Sequence, residues 1–142
     1  MNPNNKRFSE FYIGETGSFT VTVTPEDIAT FCDLTGDHNP LHLDPDFAAQ
    51  TRFKKCLIPG WYLGSLVGAA AAPLCGMYAV NLSVTYRVPA PAFAGDTLAV
   101  SATVTELMEE KHDVMLSLCI KREDGTVVMQ GENKVRIMDK KL

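Results

Sequence analysis

Hydrophobic and polar positions along this chain keep two different periods, and the change between them divides the sequence. From Ser18 to Thr24, Phe19, Val21 and Val23 alternate with Ser18, Thr20 and Thr22, which predicts a strand with one buried face. The period then lengthens. Thr24 is a good N-cap, Pro25 suits the first helical position, and Glu26 and Asp27 suit the positive end of a helix dipole. Ile28, Phe31, Cys32 and Leu34 follow at helical spacing, and Gly36 is a natural stop. Asp44-Pro45 repeats the cap-then-proline signal, so a second short helix is expected to about Gln50, with a loop from Gly36 to Leu43 between the two.

The stretch Gly60 to Ala72 is apolar or small on nearly every side, which predicts a buried helix. Gly60, Gly64, Gly68 and Ala72 recur every four residues and share one face. An interior glycine costs a helix about 1 kcal/mol relative to alanine. A helix that carries Gly64 and Gly68 should therefore lie very close to a sheet or an elongated ligand. Beyond it the period is two throughout. Val80, Leu82, Val84, Tyr86 and Val88 mark one strand; Leu98, Val100, Ala102 and Val104 a second; Val114, Leu116, Leu118 and Ile120 a third. After the hairpin signal Asp124-Gly125, Val127, Met129, Val135 and Ile137 mark a fourth. Each should bury one face. The expected fold is α+β: a single domain with at least five antiparallel strands and one long helix covering a face of the sheet.

Length and composition narrow the classes. At 142 residues the chain has room for one compact domain, and 46% hydrophobic with 21% charged residues is ordinary for a globular protein. A formal net charge of −4 argues against broad phosphate-backbone binding, so no nucleic-acid partner is expected. Cys32, Cys56, Cys75 and Cys119 form no C-x-x-C pair and have no histidine at zinc spacing; they read as reduced core residues in a cytosol-like compartment, with no metal. No secretory signal and no run of the roughly 20 apolar residues a bilayer requires is apparent, so a cytoplasmic protein without a membrane partner is expected. Lys140-Lys141-Leu142 faintly resembles a peroxisomal tail, but a frayed charged terminus is the preferred reading.

The chemistry concentrates in Thr35-Gly36-Asp37-His38-Asn39-Pro40-Leu41-His42-Leu43-Asp44. Pro40 pushes Asn39 out of the helical region, and Asn39 can brace the turn with its side chain. The resulting bend can bring Asp37 and His42 together around one small molecule. A carboxylate and an imidazole that share a water can orient it and move its protons. Taken alone, the same residues also fit a turn capped by Asp37 with an ordinary partly buried histidine.

The stretch from Phe31 through Ala48 resembles the signature of the MaoC-like (R)-specific enoyl-CoA hydratases. That pattern is an aromatic, a small residue, Gly-Asp-x-Asn-Pro-aliphatic-His, and a further small residue; here the positions are Phe31, Thr35, Gly36, Asp37, Asn39, Pro40, Leu41, His42 and Ala48. The resemblance covers roughly residues 18–138 within a single domain spanning 1–142, including the turn Phe93-Ala94-Gly95-Asp96. It implies a hot-dog fold with a helical overhang carrying the catalytic loop, and a homodimer. It implies reversible hydration of trans-2-enoyl-CoA to (R)-3-hydroxyacyl-CoA in fatty acid metabolism, a hydro-lyase reaction without cofactor. By resemblance, Asp37 and His42 hold the catalytic water, Asn39 supports their loop, and the Gly60 backbone N–H polarises the thioester carbonyl. Trp61 and Ser65 are the expected substrate contacts on the helix, although Trp61 and Tyr62 also read as core.

Two positions depart from the family pattern: Pro59 stands where a histidine is common, and Gly68 where a serine often lines the site. Arg52, Lys54 and Lys55 form a basic cluster that fits either a solvated surface or the phosphates and acids of a thioester carrier. His112 has no evident partner and is expected at the surface, while Met77, Met108, Met115 and Met129 read as packing residues. Other readings are a 3-hydroxyacyl-acyl-carrier-protein dehydratase, a thioesterase on the same fold, and a non-catalytic acyl-thioester binding module. The last has no use for a water-activating pair.

Overall fold

The computed structural model describes residues 4–141; Leu142, the end of the peroxisome-like tail, lies outside them. Strands β1 (Thr16–Thr22), β2 (Ala79–Arg87), β3 (Thr97–Met108), β4 (Asp113–Arg122) and β5 (Val127–Ile137) form one antiparallel sheet in the order β1-β3-β4-β5-β2. Three helices, α1 (Pro25–Thr35), α2 (Pro40–Leu43) and α3 (Pro45–Ala49), form the overhang between β1 and the long helix α4 (Gly60–Cys75). α4 lies mainly across β3 and β1, and its Leu63, Val67, Ala70 and Leu74 are buried against Leu98, Val100, Ala102, Leu116 and Leu118. Each large apolar side chain withdrawn from water there contributes about 1.5–3 kcal/mol. This is the hot-dog arrangement. None of the helices is long and apolar enough to cross a membrane, among the described residues.

Local chemistry fixes the element ends. Thr24 Oγ1 accepts from Asp27 N–H while Thr24 N–H donates to the Asp27 carboxylate, a reciprocal cap that starts α1. Gly36 ends it in the left-handed region, at φ 80°. β1 lies two residues upstream of its expected span, because the chain leaves the sheet at Val23 to turn into α1. There Val23 N–H donates to Asp96 O and its carbonyl accepts from Gly95 N–H.

α4 runs on through Pro73, past its expected end near Ala72. Pro73 cannot donate, but the last turn is held from outside. Asn4 Nδ2 and Lys6 Nζ donate to the carbonyls of Pro73 and Leu74, which would otherwise be orphaned at the helix C-terminus. The N-terminal segment also buries Phe8 and Phe11 in the core, which no periodicity announced.

His112 is not the free surface residue expected. It stacks on Phe8, ring centroids 4.4 Å apart, and its Nδ1 lies 2.6 Å from Asp139 Oδ1. Asp139 Oδ2 in turn accepts from Phe8 N–H. Burial pushes the Asp139 carboxyl upward, but the bonds from Phe8 and His112 outweigh it and hold the group below the usual carboxylate range.

β5 also departs from simple alternation. A bulge opposite Ile120 and Lys121 shifts its phase, so Val128 and Met129 are both buried and Val127 only half-buried. Of the methionines assigned to packing, Met129 is buried but Met77 is exposed. All four cysteines are free; Cys32 and Cys75 are buried, Cys56 and Cys119 half-buried. Burial raises the Cys75 thiol to about 11, which makes it unreactive.

The largest departure is β2. Val80, Leu82 and Val84, and Val88 just beyond its end, stay 42–47% exposed instead of forming a buried face. β2 is the edge strand, and a bulge between Asn81 and Ser83 shifts its phase, so Val80 and Leu82 turn to the side away from α4 while Val84 and Tyr86 turn toward it.

Candidate active site

The loop that carries the motif folds around its own side chains. Asn39 Oδ1 accepts from Leu41 N–H at 3.0 Å, and Pro40 supplies the first position of the one-turn helix α2. Asp37 Oδ1 accepts from Asn39 N–H, which turns Oδ2 toward His42. The Asp37 Oδ2–His42 Nε2 distance is 3.8 Å, with side chains 32% and 13% exposed respectively. The fold therefore brings the two predicted groups together. His38, between them in sequence, stays exposed.

His42 is oriented from behind. Its Nδ1 lies 3.0 Å from the Leu57 carbonyl oxygen, and Leu57 N–H donates to Leu41 O. A carbonyl can only accept, so Nδ1 carries the proton, and in the neutral imidazole Nε2 presents a lone pair. Nε2 and the Asp37 carboxylate are then two acceptors at a separation that one water can bridge by donating a hydrogen to each. The water's own lone pairs remain free to attack. Leu57 has no sequence signal for this role, because only its backbone acts.

Facing the pair is the N-terminus of α4. Pro59 is its cap residue, and its carbonyl accepts from Tyr62 and Leu63 N–H, leaving Gly60 and Trp61 N–H without hydrogen-bond partners among the described residues. Open N–H groups at a positive helix end suit a developing oxyanion. A Cβ at Gly60 would meet only Val88 Cγ2, at 3.6 Å. Asp37, Asn39, His42, Gly60, Trp61 and Tyr86 line one cleft of about 680 Å³, completed by residues of β2 and Val88. No metal or cofactor is needed for what this arrangement can do: hold a water, move its protons and receive negative charge.

Trp61 is 76% exposed and forms cleft wall, not core; Tyr62 is half-buried and packs on Phe31 at 4.9 Å. Ser65 is not brought to the cleft. It sits on the exposed side of α4 and donates to Trp61 O one turn back. Arg52 and Lys55 lie over the rings of Phe53 and Phe93, and neither lines the cleft.

Tyr86 is the residue that the sequence reading missed. Its hydroxyl donates to Gly60 O at 3.0 Å, its ring meets Trp61 edge-on, and burial raises its phenol above the ordinary range. It can lean there because β5 offers Gly131 opposite it; a Cβ at Gly131 would stand 2.2 Å from Thr85 O and 2.5 Å from Tyr86 Cβ. The glycine stripe on α4 was the available signal, since a Cβ at Gly64 would stand 2.8 Å from the Tyr86 hydroxyl.

The chain is similar in sequence and in fold to known proteins. The sequence profile described as MaoC like domain matches residues 11–122. A 3-hydroxybutyryl-CoA dehydratase of Methylorubrum extorquens is 33% identical over 134 residues, 94% of this chain and 85% of its own length. An (R)-specific enoyl-CoA hydratase of Aeromonas caviae is 32% identical over 126 residues, 88% of this chain and 94% of its own. The solved structure of the A. caviae (R)-hydratase involved in PHA biosynthesis superposes with a TM-score of 0.86 at 31% identity, covering 90% of this chain and 98% of that one. Sequence match and shared architecture lead to one assignment: the chain belongs to the MaoC-like dehydratase family.

Proposed function

We infer that the protein is a hydro-lyase that reversibly hydrates trans-2-enoyl-CoA to (R)-3-hydroxyacyl-CoA. The observation that carries this reading is the 3.8 Å Asp37–His42 pair beside the open N-terminus of α4. His42 Nε2 takes one proton from the bridging water as the oxygen bonds to C3. The electron pair of the double bond moves toward the thioester oxygen, where the Gly60 N–H receives the charge. The proton held by the pair then passes to C2, so one water is added and nothing else is consumed. Hydrolysis would instead need the water placed over the thioester carbonyl carbon, C1, rather than at C3.

The functional unit we propose is a homodimer. β2 presents an unpaired edge with exposed apolar side chains on both sides, and a long exposed edge of this kind is a template for another strand. Antiparallel pairing of two β2 strands would join the sheets. It would also place a second subunit beside Val84, Thr85 and Tyr86, which line the catalytic cleft. The deciding assay mixes purified protein with crotonyl-CoA and follows loss of enoyl absorbance, with chiral analysis of the product. A protein that leaves crotonyl-CoA and longer enoyl-CoA esters unchanged is not this enzyme.

A further inference from the structure

Behind the catalytic cleft is a second hollow, between α4 and the sheet. Its volume is about 210 Å³, and a cavity of roughly 150 Å³ already accommodates a benzene ring. One wall is the small-residue stripe, Gly64, Gly68 and Ala72, and Gly68 has nothing within 4 Å of where its Cβ would be. Val84 lines both hollows, and Tyr86 stands at the catalytic side against Gly64. An acyl tail extending from the cleft would follow this stripe inward.

The hollow is not wholly apolar. Asn133, only 7% exposed, lines it together with Asn81. Asn133 Nδ2 donates to Asn81 Oδ1 at 2.6 Å and to Ser83 O at 2.8 Å. The Ser83 carbonyl can only accept, which fixes the amide orientation: nitrogen toward β2, oxygen away from it. Asn133 Oδ1 receives no hydrogen bond among the described residues, yet it is not sealed from open space. The bond to Ser83 explains half of this side chain, as a support for the β2 bulge between Asn81 and Ser83. It does not explain an acceptor left unused in a hollow lined mostly by small and aliphatic groups.

We propose that this cavity selects enoyl thioesters whose acyl tail carries a hydroxyl group, which donates to Asn133 Oδ1. The inference rests on the hydratase reading above and specifies the substrate class of that site. A plain alkyl tail would cover this acceptor and leave it without a partner. One neutral hydrogen bond corresponds to a preference of roughly 3–10-fold. A purely apolar cavity would instead reject the added hydroxyl, by up to about 100-fold. The sign of the preference therefore separates the two cases.

The test compares kcat/KM for enoyl-CoA esters hydroxylated at C5 of a hexenoyl or C8 of an octenoyl chain with isosteres carrying methyl in place of hydroxyl. The wild-type enzyme should favour the hydroxyl compound at one or both lengths, and Asn133→Leu should reverse that preference. Because Asn133→Leu also frees the Ser83 carbonyl and can fail to fold, the wild-type ratio decides by itself. Preference for methyl at both lengths, as expected if the cavity merely holds water, overturns the proposal. So does an unchanged ratio in folded Asn133→Leu. If crotonyl-CoA and all probes alike go unhydrated, the hydratase reading itself has failed and the proposal falls with it.

Discussion

Replacing Asp37 by Asn, His42 by Gln, and both together tests whether the two side chains act through one water. At 3.8 Å, Nε2 and Oδ2 are beyond direct hydrogen-bond reach of about 3.2 Å but close enough to share a bridging donor. A water held at two points is oriented; one held at a single point rotates. Each single substitution should therefore lower kcat by about 10²–10⁴-fold. At 1.36 kcal/mol per tenfold, that is about 2.7–5.4 kcal/mol of transition-state stabilisation. The double variant should be scarcely worse than the poorer single, because the unit is already broken. Lost stability cannot imitate this pattern. His42→Gln forfeits at most the bond to Leu57 O, about 1 kcal/mol, or about 2–8 °C in Tm. The assay is hydration of crotonyl-CoA by all three variants, with melting curves and thioester affinity alongside. Losses that multiply in the double would mean that Asp37 and His42 act separately, and unchanged turnover in folded variants would refute the mechanism.

Gly60→Ala meets no protein atom closer than Val88 Cγ2 at 3.6 Å, so the fold should tolerate it while the thioester is crowded off the helix donors; kcat should fall by about 10²-fold with little change in Tm. Normal turnover would exclude Gly60 as the oxyanion donor. The Asp113 carboxyl is held low by its hydrogen bonds from Arg136, at 2.7 and 2.9 Å, and Asp139 is also low. Their stabilisation is complete above the unfolded carboxylate pKa of about 3.9 and is lost as pH falls through the lower folded values. Melting curves should show an acid-side loss that Asp113→Asn reduces; an identical acid slope in that variant would contradict the assignment. Sedimentation should show a dimer at micromolar concentration, converted to monomer by Leu82→Lys on the β2 edge, and a stable wild-type monomer would reject the joined-sheet assembly.

What the sequence determined by itself is local. Thr24, Pro25 and Gly36 bound α1, Asp44-Pro45 starts α3, and period-two alternation marks every strand, because caps, turns and faces depend on neighbours a few residues apart. The Asp-x-Asn-Pro-x-His spacing, with the turn that Pro40 imposes, brings Asp37 and His42 to one side of one turn for the same reason. Tertiary structure decided whatever depends on residues distant in the chain. The Leu57 carbonyl selects the His42 tautomer across 15 positions, and Tyr86 reaches Gly60 across 26. His112 finds Asp139 and Phe8, and α4 continues past Pro73 because Asn4 and Lys6 satisfy its last carbonyls. Ser65 and Trp61 show the same limit in reverse: they share one face of α4 a turn apart, but the cleft reaches only the first turn of the helix, so Trp61 lines it and Ser65 does not. Hydrophobic spacing marks β2 as a strand, whereas its bulge between Asn81 and Ser83 turns Val84 and Tyr86 toward α4 and Val80 and Leu82 to the other side, and the order of strands leaves it at the edge of the sheet.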